Sequence, residues 1–246
     1  MHTFPNCLLN PIMKDNTVRL LLCAGLLFLS FLAGCIQVEE TITLNADGSG
    51  TMELAYSVAE EQAVMMESAV REDEELGAGE NFSFSADAIR KQFEEMEFEG
   101  VELIKADSSV QNGRRNVSMA VKFASLSALS DTPLLAERRV TLQKAGAGQF
   151  TFTQKANAPA ISPESGAEMA AFVQGMLQGL KVQICVKTPG PITGSNATKT
   201  EGNEARWIFD TSNNSNALAG IMNLDVQVSF EGGGKNMSGF QSHGAN

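Results

Sequence analysis

The chain has 246 residues, 43% of them hydrophobic, and carries 29 acidic against 18 basic side chains, a net charge of −11. A surface of that sign repels nucleic acid, whose binding needs a positive footprint. The two histidines, His2 and His243, lie close to the ends, so the body of the chain holds none. That excludes Ser-His-Asp and Cys-His catalysis and helical His-x-x-x-His zinc sites.

The first 35 residues read as an export signal. Lys14 and Arg19 supply a short positive region, and residues 18–32, "VRLLLCAGLLFLSFL", form an apolar run. The run is shorter than the roughly 20 residues of a membrane span and has the length of a secretory signal core. Met13 is an alternative start to Met1. The run ends in Leu32-Ala33-Gly34-Cys35, which resembles the lipobox of bacterial lipoproteins. That resemblance implies cleavage before Cys35, a diacylglyceryl group on its thiol, and a further acyl chain. One chain binds a bilayer marginally, whereas two anchor it. Residues 1–34 are therefore expected to be a signal peptide, and Cys35 the membrane anchor. Ile36 stands where an Asp would resemble an inner-membrane retention signal, which points to the outer membrane in a cell that has one. From Cys35 onward the chain carries 16 Lys plus Arg against 28 Asp plus Glu. Anionic lipid surfaces are disfavoured except at basic spots such as Arg114-Arg115 and Arg138-Arg139. Once Cys35 is acylated, Cys185 is the remaining thiol, so no intrachain disulfide framework is expected. A lone cysteine in an apolar strand pattern reads as a small core residue.

The next stretch, "NADGSG" at residues 45–50, looks like the start of an EF-hand loop. Its flanks argue otherwise. Val38, Glu40, Ile42 and Leu44 alternate with polar residues before it, and Met52, Leu54, Tyr56 and Val58 do so after it. Period two is the strand signature, whereas an EF-hand needs helices and a bidentate Glu at loop position 12; Tyr56 stands there. The stretch is expected to be a hairpin turn, with Gly48 and Gly50 supplying positive φ, and no metal site. Residues 59–70 read as a helix and 72–80 as an acidic loop. Ser85 caps a second helix with Ile89, Phe93 and Met96 on one face, ended by Gly100. Between Glu60 and Glu102 lie 14 acids against three bases, the pattern of a solvated face.

A second hairpin joins residues 101–110 to 117–123 through Asn112-Gly113, a favoured two-residue turn. Residues 125–129 read as a short helical turn. A third hairpin sets Val140 and Leu142 against Phe150 and Phe152 across the loop 145–148. Ser162 and Pro163 open the strongest helix, with Met169, Phe172, Val173, Met176, Leu177 and Leu180 as an apolar stripe. Val182, Ile184 and Val186 alternate as a strand. Residues 192–198 and 204–210 form two arms around "TEGN", the second holding Trp207. Leu224, Val226, Val228 and Phe230 make a last strand, and residues 232–246 a disordered glycine-rich tail. About nine strands and three helices, with strands arriving as hairpins, predict an α+β fold: a curved, mostly antiparallel sheet packed by helices, in a single domain spanning 35–231.

The lipobox runs directly into "IQVEETITLNADGSGTMEL"; then come "GVELIKADSSVQNGRRNVSMAVKF", "PGPITGSNA" and "EARWIFD". Together these resemble the LppM-like lipoproteins. The resemblance implies a curved antiparallel sheet with packed helices, an apolar cavity, and association with membrane lipids or glycolipids. Many members continue into a C-terminal transmembrane helix; here a polar tail stands in its place, so anchoring is expected through Cys35 alone. Met side chains adapt to irregular apolar partners, and Phe172, Met176 and Trp207 are the expected lining of an apolar site. The expected function is non-enzymatic: a membrane-anchored lipoprotein of the cell envelope that binds a lipid or amphiphile. The alternative is an envelope protein that meets a basic protein partner through its acidic 60–102 face. No catalytic residue, metal or cofactor is implied.

Overall fold

The computed structural model describes residues 36–72, 84–135, 138–146, 148–156, 177, 179–214 and 216–232, with the side chains of 69–72 excepted. Cys35, the predicted helix containing Phe172 and Met176, and the tail beyond Gly232 lie outside the described residues.

The first hairpin forms as expected. β1 (Gln37–Leu44) and β2 (Gly50–Ala59) pair antiparallel, Gln37 opposite Ser57 and Leu44 opposite Gly50. Asp47 Oδ1 accepts from the Ser49 N–H at 3.0 Å and from its hydroxyl at 2.7 Å. The carboxylate of the EF-hand look-alike thus closes the turn itself. Gly48 has φ of 90°, as the turn requires. Gly50 does not have the positive φ expected of it. Its glycine is needed for space, because a Cβ there would collide with the Thr43 carbonyl oxygen and the Phe123 ring.

β2 leads into helix α1 (Glu60–Glu72). Helix α2 (Ala86–Met96) follows, then the hairpin of β3 (Val101–Gln111) and β4 (Arg114–Phe123). Asn112 and Gly113 both take positive φ, 53° and 71°, the requirement of a tight turn that follows strand twist. α2 stops at Met96, earlier than Gly100: Glu97 is its left-handed C-terminal residue, and Gly100 turns the chain into β3. Next come α3 (Leu126–Ser130), capped by the Ser125 hydroxyl, a 3-10 turn (Pro133–Leu135), β5 (Arg138–Gly146) and β6 (Gln149–Ala156). The last elements are β7 (Lys181–Lys187), β8 (Ile192–Ser195), β9 (Lys199–Glu201), β10 (Glu204–Asp210), α4 (Ala217–Met222) and β11 (Asp225–Glu231).

These strands form two sheets, ordered β3-β4-β2-β1-β7-β10-β9 and β5-β6-β11-β8. The architecture is α+β and mostly antiparallel, with one parallel pair, β1 with β7. The arms around "TEGN" divide between the sheets. β9 pairs with β10, whose other neighbour is β7, while β8 leaves to pair with β11. Asn196 holds the crossing: its Oδ1 accepts from Trp207 Nε1 and from the Gln227 N–H, both at 2.9 Å, and its Nδ2 donates to the Asp225 carbonyl at 2.8 Å.

The inner faces of both sheets share one core. Ile42, Val121, Phe123, Phe152, Val186, Val226, Val228 and Phe230 are fully buried in it. Alternation puts them there, since every second residue of a strand faces the same side. α1 adds Ala63, and α2 adds Ala86 and Ile89.

Candidate functional site

A groove of about 750 Å³ runs between α2 and β3, within the range of roughly 300–1,000 Å³ of ligand sites. Its geometry begins with a sequence irregularity. β3 reads Val101-Glu102-Leu103-Ile104-Lys105-Ala106, with two apolar residues in succession. Leu103 lies opposite Val121 and Lys105 opposite Ala120, so Ile104 is the extra residue of a β-bulge. A bulge reverses the phase of the alternation, so that Leu103, before it, and Ala106, after it, both stand on the core side. Ile104 is pushed out, 57% exposed, on the edge strand of the larger sheet.

α2 is tied to β3 at three places. The Ser108 hydroxyl accepts from the Ala86 N–H at 3.2 Å, the Arg90 guanidinium donates to the Ala106 carbonyl, and Ile89 is buried beneath. Ser85 stands at the N-cap of α2 as expected, but its side chain makes no capping hydrogen bond; the hydroxyl that meets the Ala86 N–H comes from β3. Toward its C-terminal end the helix lifts away. Phe93 is partly buried and Met96 is 48% exposed, although both share the predicted stripe with Ile89. Phe93 and Phe98 meet edge to face, centroids 5.2 Å apart, and with Val101, Leu103 and Ile104 they give the groove an apolar wall.

The rim is charged. Glu94, Glu97, Glu102 and Asp107 stand around it with Arg90 and Lys105. Arg90 is paired with Asp87 at 2.7 Å, and Lys105 with Asp107 at 2.8 Å. The Asp107 carboxylate holds the Lys105 ammonium's pKa above its ordinary value. Both cations being committed, the rim presents net negative charge around an apolar wall. A second depression of about 210 Å³ lies on the outward face of the sheet, lined by Gln37, Glu39, Ser57, Asn116, Ser118 and Asp107 among others. It is small for a ligand site.

Trp207 is 3% exposed in the shared core, bonded to Asn196, and lines neither groove. Phe172 and Met176 lie outside the described residues, so the three expected lining residues are not seen together. Of the groove residues, Phe93 was read only as part of a helix face and Phe98 and Ile104 went unassigned in the sequence, where the doubled apolar pair Leu103-Ile104 was the available signal. Cys185 is buried but not in the shared core; it lies across from Thr41 and Arg206. Burial foremost, then the Glu204 carboxylate, pushes its thiol pKa up, which disfavours the reactive thiolate. Among the described residues no three His, Cys, Asp or Glu side chains gather as a metal site, and no helix is long and apolar enough to cross a membrane.

Among solved structures, the chain is similar to the NMR structure of the folded domain of the Mycobacterium tuberculosis LppM protein. Identity is 11%, the match covers 80% of this chain and 90% of that one, and the TM-score is 0.43. This is the LppM type that the sequence motifs resemble. No family model matches the chain, and no curated protein matches it.

Proposed function

We propose that the chain is a membrane-anchored lipoprotein of the cell envelope, without catalytic activity, whose folded domain holds a lipid or other amphiphile in the groove between α2 and β3. The observation that carries this reading is the apolar wall of Phe93, Phe98, Leu103 and Ile104 under a charged rim. An apolar chain lying on that wall gains about 0.8 kcal/mol for each methylene withdrawn from water. The acidic rim favours a neutral or cationic head group over an anionic one, since like charges repel. The anchor is the acylated Cys35, and the expected location is the outer membrane where a cell has one. Phe172 and Met176 belong to the same proposal, as apolar side chains that sequence pattern alone assigns to ligand contact; Trp207, expected with them, is buried away from this groove.

The test uses the chain from Ile36 onward, made without lipidation. Solvent extracts of the purified protein are analysed by mass spectrometry, and the protein is then titrated with spin-labelled long-chain amines and fatty acids. The reading expects either a co-purifying amphiphile or saturable uptake, tighter for the amine. Empty protein that takes up neither probe refutes it.

A second reading has one observation in its favour. Among the described residues β3 is a long edge strand with no strand on its outer side, and edge strands accept further strands. A basic envelope protein added there would meet the acidic rim. In-cell crosslinking from Ile104 to one defined protein, with the groove empty of amphiphile, selects this alternative.

A further inference from the structure

The lipid anchor and the sheet are almost contiguous. β1 begins at Gln37, and the Ile36 carbonyl already accepts from the Lys181 N–H at 2.8 Å. From Gln37 to Cys35 the chain reaches at most roughly 7 Å. No linker separates an acylated Cys35 from the larger sheet, so the same end of that sheet must lie at the bilayer.

Strand register identifies which residues occupy that end. Gln37 lies opposite Ser57, Ser57 opposite Asn116, and Asn116 opposite Ser109. On the other side Gln37 lies beside Lys181, and Lys181 opposite Asp210. One residue further out stand Val58, Arg115 and Val110; two further out stand Ala59, Arg114 and Gln111. The last of these rows is as far beyond Gln37 as Cys35 is along the chain. α1 starts here too, its first N–H donating to the Gly113 carbonyl at the hairpin tip at 3.0 Å. α4 follows β10 at the same end, where the Asn214 N–H donates to the Asp210 carbonyl.

This end is also where apolar side chains are bare. Seven large apolar side chains are well exposed among the described residues, and four belong here: Val110 at 57%, Met65 at 50%, Val64 at 49% and Met222 at 40%. Val64 and Met65 fall in the second turn of α1, about 6–8 Å along the helix from Glu60. Arg114, Arg115 and Lys181 stand among them, with Arg115 paired to Glu60 and Glu67 and Lys181 opposite Asp210. Clustered exposed apolar residues mark interaction surfaces, and shallow insertion of such residues suits a bilayer interface.

We propose that this end of the larger sheet is a membrane-contacting face. It seats Val110, Met65 and Met222 in the head-group layer and sets the domain upright on the bilayer. The occupant is lipid because the anchor holds that end within two residues of the membrane. Val101, where β3 begins, lies opposite Phe123 at the far end of the sheet, so the groove between α2 and β3 extends toward the end remote from the bilayer. The inference rests on the reading of Cys35 as acylated and is independent of what the groove binds.

The full chain, processed and lipidated in a bacterial host, is reconstituted in vesicles of phosphatidylethanolamine and phosphatidylglycerol. Nitroxide labels are placed singly at Val110→Cys, Met65→Cys and, at the far end, Lys122→Cys, in a Cys185→Ala background. Relaxation by oxygen, which concentrates in lipid, is compared with relaxation by a water-soluble nickel chelate. Labels at 65 and 110 are expected to favour oxygen severalfold, and the label at 122, about 23 Å away along the strands, to favour nickel. Gln111→Cys replaces either end position should circular dichroism show a misfolded variant. Equal nickel access at both ends, with intact mass confirming acylation, overturns the proposal and leaves the anchor standing. An unmodified Cys35 overturns the anchor and this proposal together.

Discussion

Glu40 of the larger sheet and Arg138 of the smaller one form an ion pair inside the protein. The Glu40 side chain is 1% exposed, and its other oxygen accepts from Gln154 Nε2 at 2.7 Å. β1 is thereby bonded to β5 and β6 across the core. A carboxylate taken from water costs several kcal/mol unless paired, and the loss of one partner is worse than the loss of both. Arg138→Ala is therefore expected to destabilise the domain by about 3 kcal/mol. Glu40→Leu together with Arg138→Met should lose less than the two single changes summed. Urea unfolding of the four proteins measures the coupling.

Alkaline pH should weaken the fold. Tyr56 is buried with Phe84 edge to face at 5.6 Å, and burial, then the Glu67 carboxylate, raises its phenol pKa well above the ordinary 10.0. The Cys185 thiol is raised in the same direction from 9.0. A group that keeps its proton in the folded state contributes full stability below its unfolded pKa and loses it as pH rises toward the folded value. Stability measured by urea should be level from pH 7 to about 8.5 and fall from pH 9 to 11. Cys185→Ala should remove the earlier part of the fall, and a disulfide-exchange reagent should label Cys185 at the unfolding rate. Rapid labelling of native protein would refute the buried-thiol account.

Gly50→Ala tests close approach apart from backbone conformation. The added methyl meets the Thr43 carbonyl and the Phe123 ring, and overpacking of this kind costs about 1–3 kcal/mol. Gly113→Ala meets nothing within reach but sits at φ of 71°. Its expected loss is about 1 kcal/mol, from backbone strain alone. Thermal unfolding should rank Gly50→Ala as the more damaging.

Ile104→Glu separates binding from folding. The side chain is exposed and makes no part of the core, so the unfolding midpoint should stay within about 0.5 kcal/mol of the parent. Uptake of a spin-labelled long-chain amine should weaken about tenfold, equivalent to about 1.4 kcal/mol, as apolar contact is lost. Unchanged uptake would move the site elsewhere.

The three hairpins were legible because their information is local. The strand alternations, the "NADGSG" turn and Asn112-Gly113 each act within a few residues, through side-chain direction and backbone φ. The short helical turn at 125–129 was legible for the same reason. The groove was not. Its wall depends on a bulge that can be recognised only once Val121 and Ala120 are known to lie opposite Leu103 and Lys105. Glu40 appeared in the sequence at an inward position among Val38, Ile42 and Leu44, but its partner stands 98 residues away. The division of the arms around "TEGN" was equally hidden, because Asn196 makes its bonds to residues 11 to 31 positions distant.

By itself the sequence determined the α+β character, the strands and their turns, the absence of histidine chemistry from the body of the chain, and the expectation of an acyl anchor at Cys35. Those follow from patterns of period two, turn residues and composition, none of which needs a distant partner. Only the tertiary structure decided that the strands divide into two sheets, that β1 lies parallel to β7, and that bare apolar residues gather at the end where the chain would meet its anchor. These depend on which strands share hydrogen bonds, and pairing across a hundred residues is selected by the packing of the whole core.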